Sequence, residues 1–294
     1  QAAYLVGRLR GPGLRLPLVL ALTNPDGRAR LDAVLTAEDD VSIVFSFTRS
    51  YFFVDAGRTA ELVRFLRAIM PRKPVGELYN SLGFNKHGKT ELYRALLRHL
   101  ETTDARFDIA RGERGMVMAV FDLAGFDSVF KIIRDRFDPP KSTTRAEVMG
   151  KYRLVFEHDR AGRLVDAQEF EHLVFARERF TPALLAELAA KCAGTVRITD
   201  DTAHFDHLYT ERRLTPLDVW LREASPEAAR AAVLDFGQAL RDLAATDIFP
   251  GDLLLKNFGV TRHHRVVFYD YDELSRVRDC AFRDLPEAET DEEE

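Results

Sequence analysis

Asp252 and Asn257 stand five positions apart in the run Phe249-Pro250-Gly251-Asp252-Leu253-Leu254-Leu255-Lys256-Asn257. That is the spacing of a phosphoryl-transfer loop, in which the aspartate receives the proton of the attacking hydroxyl and the asparagine holds magnesium. Lys256, four residues after Asp252, counts with the catalytic candidates. A second acidic run, Phe268-Tyr269-Asp270-Tyr271-Asp272-Glu273, follows closely. The residues between read as a short hairpin, with strands Phe258 to Val260 and Val266 to Tyr269 around a polar turn at Arg262, His263 and His264. Such a hairpin returns Asp270 to the side of Asn257, with Asp272 as a third oxygen donor. Oxygen donors gathered at one point suit a hard cation that itself carries phosphates. An aspartate after Pro-Gly is also a common turn or cap, and acids around a tyrosine a common strand end. The three-part spacing points to chemistry where no single residue does.

A phosphoryl-transfer site also needs a lysine on an upstream strand. Lys131 lies inside the β-branched run Ser128-Val129-Phe130-Lys131-Ile132-Ile133, where an unpaired lysine is costly. It is either a phosphate-holding lysine or a side chain snorkelling from an edge strand. Before it, Ala110, Arg111, Gly112, Glu113, Arg114, Gly115 and Met116 make a turn that leads into a strand. Glycines there allow close backbone approach to phosphates, and they equally make an ordinary hairpin. A helix from about Thr144 carries a capping box, Thr144 with Glu147, and an apolar stripe at Val148, Tyr152 and Val155. It occupies the place of the helix that brings the lysine its carboxylate partner, for which Glu157 is the candidate and Glu147 only a cap.

The elements around this set alternate in type. Residues 1–55 read as an antiparallel meander: Tyr4 to Leu9, Leu14 to Leu22, a turn at Asn24-Pro25-Asp26-Gly27, Ala29 to Leu35, Val41 to Phe47, and Tyr51 to Val54. A helix over Thr59 to Met70, stopped by Pro71, covers one face. Two further helical patterns in 75–101 flank Gly83-Phe84-Asn85-Lys86-His87-Gly88-Lys89-Thr90, letter for letter a phosphate loop. That loop requires a buried strand before it, and Gly76 to Ser81 is poor strand material. The milder reading is a helix start at which Gly83, Lys86, Gly88 and Lys89 bind an anion through free amides, and the bland one is a capped helix. A polar run near 102–107 suggests a boundary. The charged stretch His158 to Asp166 contains His158-Asp159-Arg160, read as salt-bridged structure. Later come a helix near Pro182 to Lys191, strands at Thr195 to Ile198 and Ala203 to Tyr209, a hinge at Glu211-Arg212-Arg213, a helix opened by Pro216, and a long helix from about Pro226 to Ala245. The acidic run Glu287 to Glu294 reads as a solvated tail.

The chain has 294 residues, enough for a sizeable core, and a formal net charge of −5 with scattered positive residues. This excludes a general nucleic-acid binder and implies no membrane surface. Cys192 and Cys280 make neither a disulfide framework nor a zinc pair, which points to a reducing cytoplasm. No apolar run approaches a membrane span. The start at Gln1 reads as a cut end of a longer protein.

At this point the residues resemble a known family. Phe249-Pro250-Gly251-Asp252, the stretch Lys256 to His263, the stretch Arg265 to Glu273, His158-Asp159-Arg160, His207-Leu208-Tyr209, Glu211-Arg212-Arg213, Tyr4 to Leu9 and Phe45-Ser46-Phe47 are similar to the bacterial bifunctional isocitrate dehydrogenase kinase/phosphatases. The likeness runs through essentially the whole chain and corresponds to the later part of those proteins. It implies an α+β fold in which a bilobal protein-kinase-like domain, 104–285 with lobes 104–210 and 211–285, follows a regulatory segment at 1–103 and precedes the tail 286–294. It further implies a cytoplasmic enzyme that phosphorylates a serine of isocitrate dehydrogenase with ATP and magnesium. The same enzyme removes that phosphate in the same cleft with ADP, and responds to AMP, to whose site the stretch Gly83 to Thr90 is expected to contribute. By resemblance, Ala110 to Met116 and Lys131 hold nucleotide, Asp252 is the kinase base, Asn257 and Asp270 hold metal, and Asp166 serves the phosphatase reaction. The chain departs from ordinary protein kinases in Pro250-Gly251-Asp252 and in Asp270-Tyr271-Asp272, which lacks a glycine. Two other readings stay open. A small-molecule phosphotransferase would place phosphate on a free metabolite, and a nucleotide sensor would bind without transfer.

Overall fold

A computed structural model describes residues 2–46, 54, 57–111, 115–137, 141, 143–158 and 162–283. The fold is α+β. Strands β1 (Ala2–Gly11), β2 (Leu14–Thr23) and β3 (Arg30–Leu35) form the expected antiparallel meander in the order β1-β2-β3. The fourth strand expected there does not form, because Val41 to Val44 belongs to helix α1 (Glu38–Val44). Its β-branched residues favour a strand in isolation. Three acids in the first turn, Glu38, Asp39 and Asp40, suit a helix N-terminus, and Val41 is buried beside Val19 of β2. The expected strand at Tyr51 to Val54 falls mostly outside the described residues.

Helix α2 (Thr59–Ile69) buries Val63, Leu66 and Ile69, whereas Leu62 and Phe65, which the period of the sequence also points inward, are partly buried. Helices α3 (Val75–Ser81) and α4 (Asn85–Thr102) follow. α4 joins two halves of the chain, since its Leu96 and Leu100 enter the core built by Phe107, Phe121, Phe130 and Phe205 of the next sheet. A substitution on this helix therefore acts on the sheet that follows it.

That sheet contains β4 (Phe107–Ile109), β5 (Met118–Leu123), β6 (Ser128–Ile133), then, after helix α5 (Arg145–His158), β7 (Ala167–Ala176). After α6 (Pro182–Lys191) come β8 (Val196–Ile198) and β9 (Thr202–Arg212). Its order is β4-β5-β6-β9-β7, with β8 against β9, and all neighbours are antiparallel. β7 was not read from the sequence, where Ala167 to Ala176 carries two glutamates and a histidine among its apolar residues. The capping box holds: the Thr144 amide donates to Glu147 at 2.7 Å, and the Glu147 amide to Thr144 Oγ1 at 3.3 Å. The stripe Val148, Tyr152 and Val155 is buried.

The chain then passes through β10 (Thr215–Pro216), α7 (Leu217–Glu223) and α8 (Pro226–Ala245) to the hairpin β11 (Phe258–Val260) and β12 (Val266–Phe268). The hairpin pairs Phe258 with Phe268, so the residues just outside it, Asn257 and Tyr269, are brought together. The acidic run beyond residue 286 lies outside the described residues.

Candidate active site

Lys131 sits on β6 between β5 and β9, opposite Val120 and Tyr209. It is therefore on an interior strand, and the snorkelling account fails. Its side chain is only 8% exposed, and its Nζ lies 2.7 Å from Oε2 of Glu211, whose side chain is 1% exposed. The expected partner on α5 is thereby corrected: Glu157 is exposed, and the carboxylate comes from the end of β9. The reason is register. β6 and β9 are adjacent and antiparallel, so Glu211, opposite Val129, reaches a lysine two residues along the same strand. Tyr152 of α5 reaches the same glutamate, its Oη donating to Oε1 at 3.0 Å. Burial pushes the Glu211 carboxyl up, and Lys131 and the Tyr152 hydroxyl oppose that.

Lys131 also donates to the Tyr269 carbonyl at 2.9 Å, with the Tyr269 and Tyr271 rings 5.3 and 5.9 Å from its Nζ. This bond joins β6 to the segment that follows β12 and sets the lysine beside Asp270. The Tyr269 amide donates to the Asn257 carbonyl at 3.1 Å, which closes the hairpin as expected. Asn257 is buried, and its Nδ2 donates to the Asp252 carbonyl at 3.3 Å. The three residues read from spacing thus lie on one connected backbone frame.

Pro-Gly before Asp252 has a local cause. Gly251 has φ +84°, and a Cβ there would lie 2.5 Å from the Glu273 carbonyl oxygen. Gly251→Ala is expected to cost about 1–3 kcal/mol through strain and displacement of the 270–273 run. Thermal unfolding measures the cost, and an unchanged Tm would contradict the account.

Asp270 is half-buried, and its carboxyl is pushed up to about 7, first by desolvation and then by the adjacent Asp272. Two carboxylates held against each other form a place short of positive charge. Lys141 meets Asp272 from outside, at 3.2 Å, and also pairs with Glu273. With Nδ2 of Asn257 engaged, its Oδ1 is the remaining acceptor. An amide oxygen with one or two carboxylates fits magnesium, which takes its other ligands from phosphates and water. Among the described residues no group of three or more His, Cys, Asp or Glu is preformed for a metal. Lys256 is exposed, and its carbonyl accepts from the Tyr269 hydroxyl.

In the proposed nucleotide turn, Ala110 pairs with Val120 through its amide at 3.1 Å, and Met116 is exposed. Gly112, Glu113 and Arg114 lie outside the described residues. Asp159 and Arg160 lie outside them as well, so the salt-bridged reading of that stretch has no counterpart here.

Asp166 follows a segment, Arg163 to Val165, that lies along β12. The Val165 amide donates to the Phe268 carbonyl at 3.1 Å, and the Tyr271 hydroxyl to the Val165 carbonyl at 2.6 Å. Arg163 anchors this segment through Asp235 and Asp242, each at 2.8 Å. Asp166 Oδ2 accepts from Asn80 Nδ2 of α3 at 2.8 Å and from Gln168 Nε2 at 3.0 Å. It lines a cavity of about 880 Å³ between the first and second halves of the chain, as does Glu211, whereas Asp252, Asn257, Asp270 and Asp272 do not. Glu211 thus belongs both to this cavity wall and to the lysine pair.

The stretch Gly83 to Thr90 does not form a phosphate loop. Helix α3 precedes it in place of a strand, Gly88 is buried inside α4, Lys86 is exposed, and Lys89 Nζ lies 5.0 Å from the Phe170 ring centre. Of the four residues expected at an anion site, Gly83, Lys86, Gly88 and Lys89, only Gly88 lines the cavity, and Arg64, Arg67, Arg94 and Arg98 line it too. The halves are tied by further polar contacts. Arg212 pairs with Glu77, Arg262 Nη1 donates to the Arg72 carbonyl at 2.7 Å, and His263 Nδ1 lies 3.0 Å from Asp39 Oδ1.

Comparison with known proteins supplies the family. The family model described as "Isocitrate dehydrogenase kinase/phosphatase (AceK) kinase domain" matches residues 105–294, and the corresponding regulatory-domain model matches 1–104. The chain is 62% identical over 294 residues to the isocitrate dehydrogenase kinase/phosphatase of Anaeromyxobacter sp. (strain Fw109-5), covering 100% of this chain and 51% of that one. It is also 62% identical over 288 residues to the protein of that name from Anaeromyxobacter dehalogenans (strain 2CP-C), covering 98% of this chain and 49% of that one. The chain spans about half the length of the curated relatives it matches.

Proposed function

Since this chain belongs to the isocitrate dehydrogenase kinase/phosphatase family, we propose that its parent protein phosphorylates a serine of isocitrate dehydrogenase from ATP and removes that phosphate again. Through that switch it would control carbon flow into the glyoxylate bypass in the cytoplasm. The observation that carries the reading is the buried Lys131–Glu211 pair with its bond to the Tyr269 carbonyl. A cation fixed there, beside Asp270, would serve the terminal phosphates of a nucleotide.

In this reading Lys131 and the turn Ala110 to Met116 orient the phosphates, and Asp252 takes the proton of the serine hydroxyl. Lys256 lies beside the transferred group. Asn257, Asp270 and Asp272 would hold magnesium, which when bound neutralises charge on the phosphates. For the reverse reaction, Asp166 orients or activates the water that attacks phosphoserine, with ADP and magnesium bound. Asp166→Ala is expected to lose dephosphorylation while keeping phosphorylation; unimpaired dephosphorylation would remove Asp166 from the reaction.

AMP is the proposed effector, and the arginine-lined cavity is the better place for its phosphate than Lys86 and Lys89. Arg67→Ala is expected to raise the AMP concentration for half-response about tenfold, equivalent to about 1.4 kcal/mol. Lys89→Ala should change it less than about twofold. The reverse pattern would return the site to the start of α4.

The test of the function is incubation of the full-length protein with isocitrate dehydrogenase, magnesium and labelled ATP, then with ADP and AMP. Label should enter the dehydrogenase and then leave it. Label on a free metabolite would favour a small-molecule phosphotransferase, and ATP binding without transfer a nucleotide sensor.

A further inference from the structure

Asp166 is held from outside the catalytic half of the chain. Asn80 belongs to α3, within the segment matched by the regulatory model, and its amide reaches 86 positions along the sequence to Asp166 Oδ2. The orientation of that amide follows from chemistry. A carboxylate offers only acceptors, so the nitrogen must face it and the oxygen must face away. The oxygen, Asn80 Oδ1, is buried and without a hydrogen-bond partner among the described residues. A neutral amide that leaves its own oxygen unsatisfied is a costly choice for packing alone. It becomes intelligible if the carboxylate needs a donor at that point.

Gly88 explains how the amide fits. A Cβ at position 88 would lie 1.9 Å from Asn80 Oδ1 and 2.7 Å from the Gly76 carbonyl oxygen. The absence of a side chain there is what lets the Asn80 amide lie between α3 and α4. The second glycine of the apparent phosphate loop thus has a steric task. Gln168 donates to the same oxygen of Asp166 from β7, so the carboxylate is fixed by one amide from each half of the chain.

We infer that Asn80 is a positioning residue for the phosphatase reaction: it holds the Asp166 carboxylate in its working orientation and so makes dephosphorylation depend on the seating of α3. Kinase chemistry, which runs through Lys131, Asp252, Asn257 and Asp270, does not touch this bond. The inference rests on the reading of Asp166 given above.

The test compares Asn80→Ala, Asn80→Asp, Gly88→Ala and Asp166→Ala in the full-length protein. It follows phosphorylation of isocitrate dehydrogenase and, separately, release of phosphate from the phosphorylated dehydrogenase with ADP and magnesium. Asn80→Ala should lower the dephosphorylation kcat about tenfold, with KM for the phosphorylated protein and the phosphorylation rate within about twofold. Asn80→Asp should lower it further at neutral pH, about a hundredfold, by setting carboxylate against carboxylate. Its rate relative to the unaltered protein should recover as pH falls, because a protonated aspartate can again donate; a merely structural role would not produce that profile. Gly88→Ala should reproduce the Asn80→Ala pattern by displacing the amide.

Retained kinase activity in the same preparation shows that each variant is folded. Full dephosphorylation by both Asn80 variants while Asp166→Ala is inactive overturns this proposal and leaves the role of Asp166 standing. Full dephosphorylation by Asp166→Ala overturns both. Equal loss of the two activities in the Asn80 variants marks a structural residue and overturns the proposal.

Discussion

Asp252→Ala should lower the rate of phosphorylation of isocitrate dehydrogenase by a factor between about 10² and 10⁴ while leaving the fold intact. The two parts of this expectation have separate causes. The frame at residue 252 is made by backbone: the Asp252 carbonyl accepts from Asn257 Nδ2, and Gly251 sets the turn with its positive φ. Neither depends on the carboxylate, which is half-buried. What the variant loses is the group proposed to receive the serine proton. Initial rates at saturating labelled ATP, together with a thermal melt of the same preparation, decide the matter. A normal rate would transfer the role of base elsewhere, and a collapsed melt would mean that the carboxylate is structural.

Glu211→Ala is the second large effect, and it falls first on stability. Lys131 and Glu211 are both nearly excluded from solvent, and the Tyr152 hydroxyl donates to the same carboxylate. Removing one member of a buried pair leaves the other charge uncompensated, a loss of about 3–5 kcal/mol. Denaturant unfolding should report that loss, with phosphorylation below detection. A double variant, Lys131→Met with Glu211→Leu, removes both charges and replaces them with apolar volume. It should regain most of the stability and none of the activity, as the proposed role of the pair in chemistry requires. A loss below about 1 kcal/mol in Glu211→Ala would mean that water reaches the pair and that its burial is incomplete.

The pairing of Lys131 shows where sequence reading stopped. A lysine in a β-branched run announces that it needs a partner, and the helical stripe of α5 correctly announces a helix behind the sheet. Neither tells which carboxylate arrives, because that depends on β6 lying beside β9, strands 69 positions apart at their closest ends. The same limit governs α1. Val41 to Val44 has strand-forming residues, and only burial of Val41 against β2 and the acidic first turn make it helical.

What the sequence determined by itself was local: the five-residue spacing of Asp252 and Asn257, the hairpin that closes on Asp270, the capped helix at Thr144, and the long amphipathic helices. Each rests on contacts among residues near one another in the chain, where hydrogen-bond geometry and side-chain period leave few alternatives. Only the tertiary structure decided that Glu211 pairs with Lys131, that Gly88 makes room for Asn80 and not for phosphate, and that Asp166 is grasped by a helix from the other half of the molecule. These contacts join side chains brought together by strand order and helix packing, which the local sequence constrains weakly and the shared cores select.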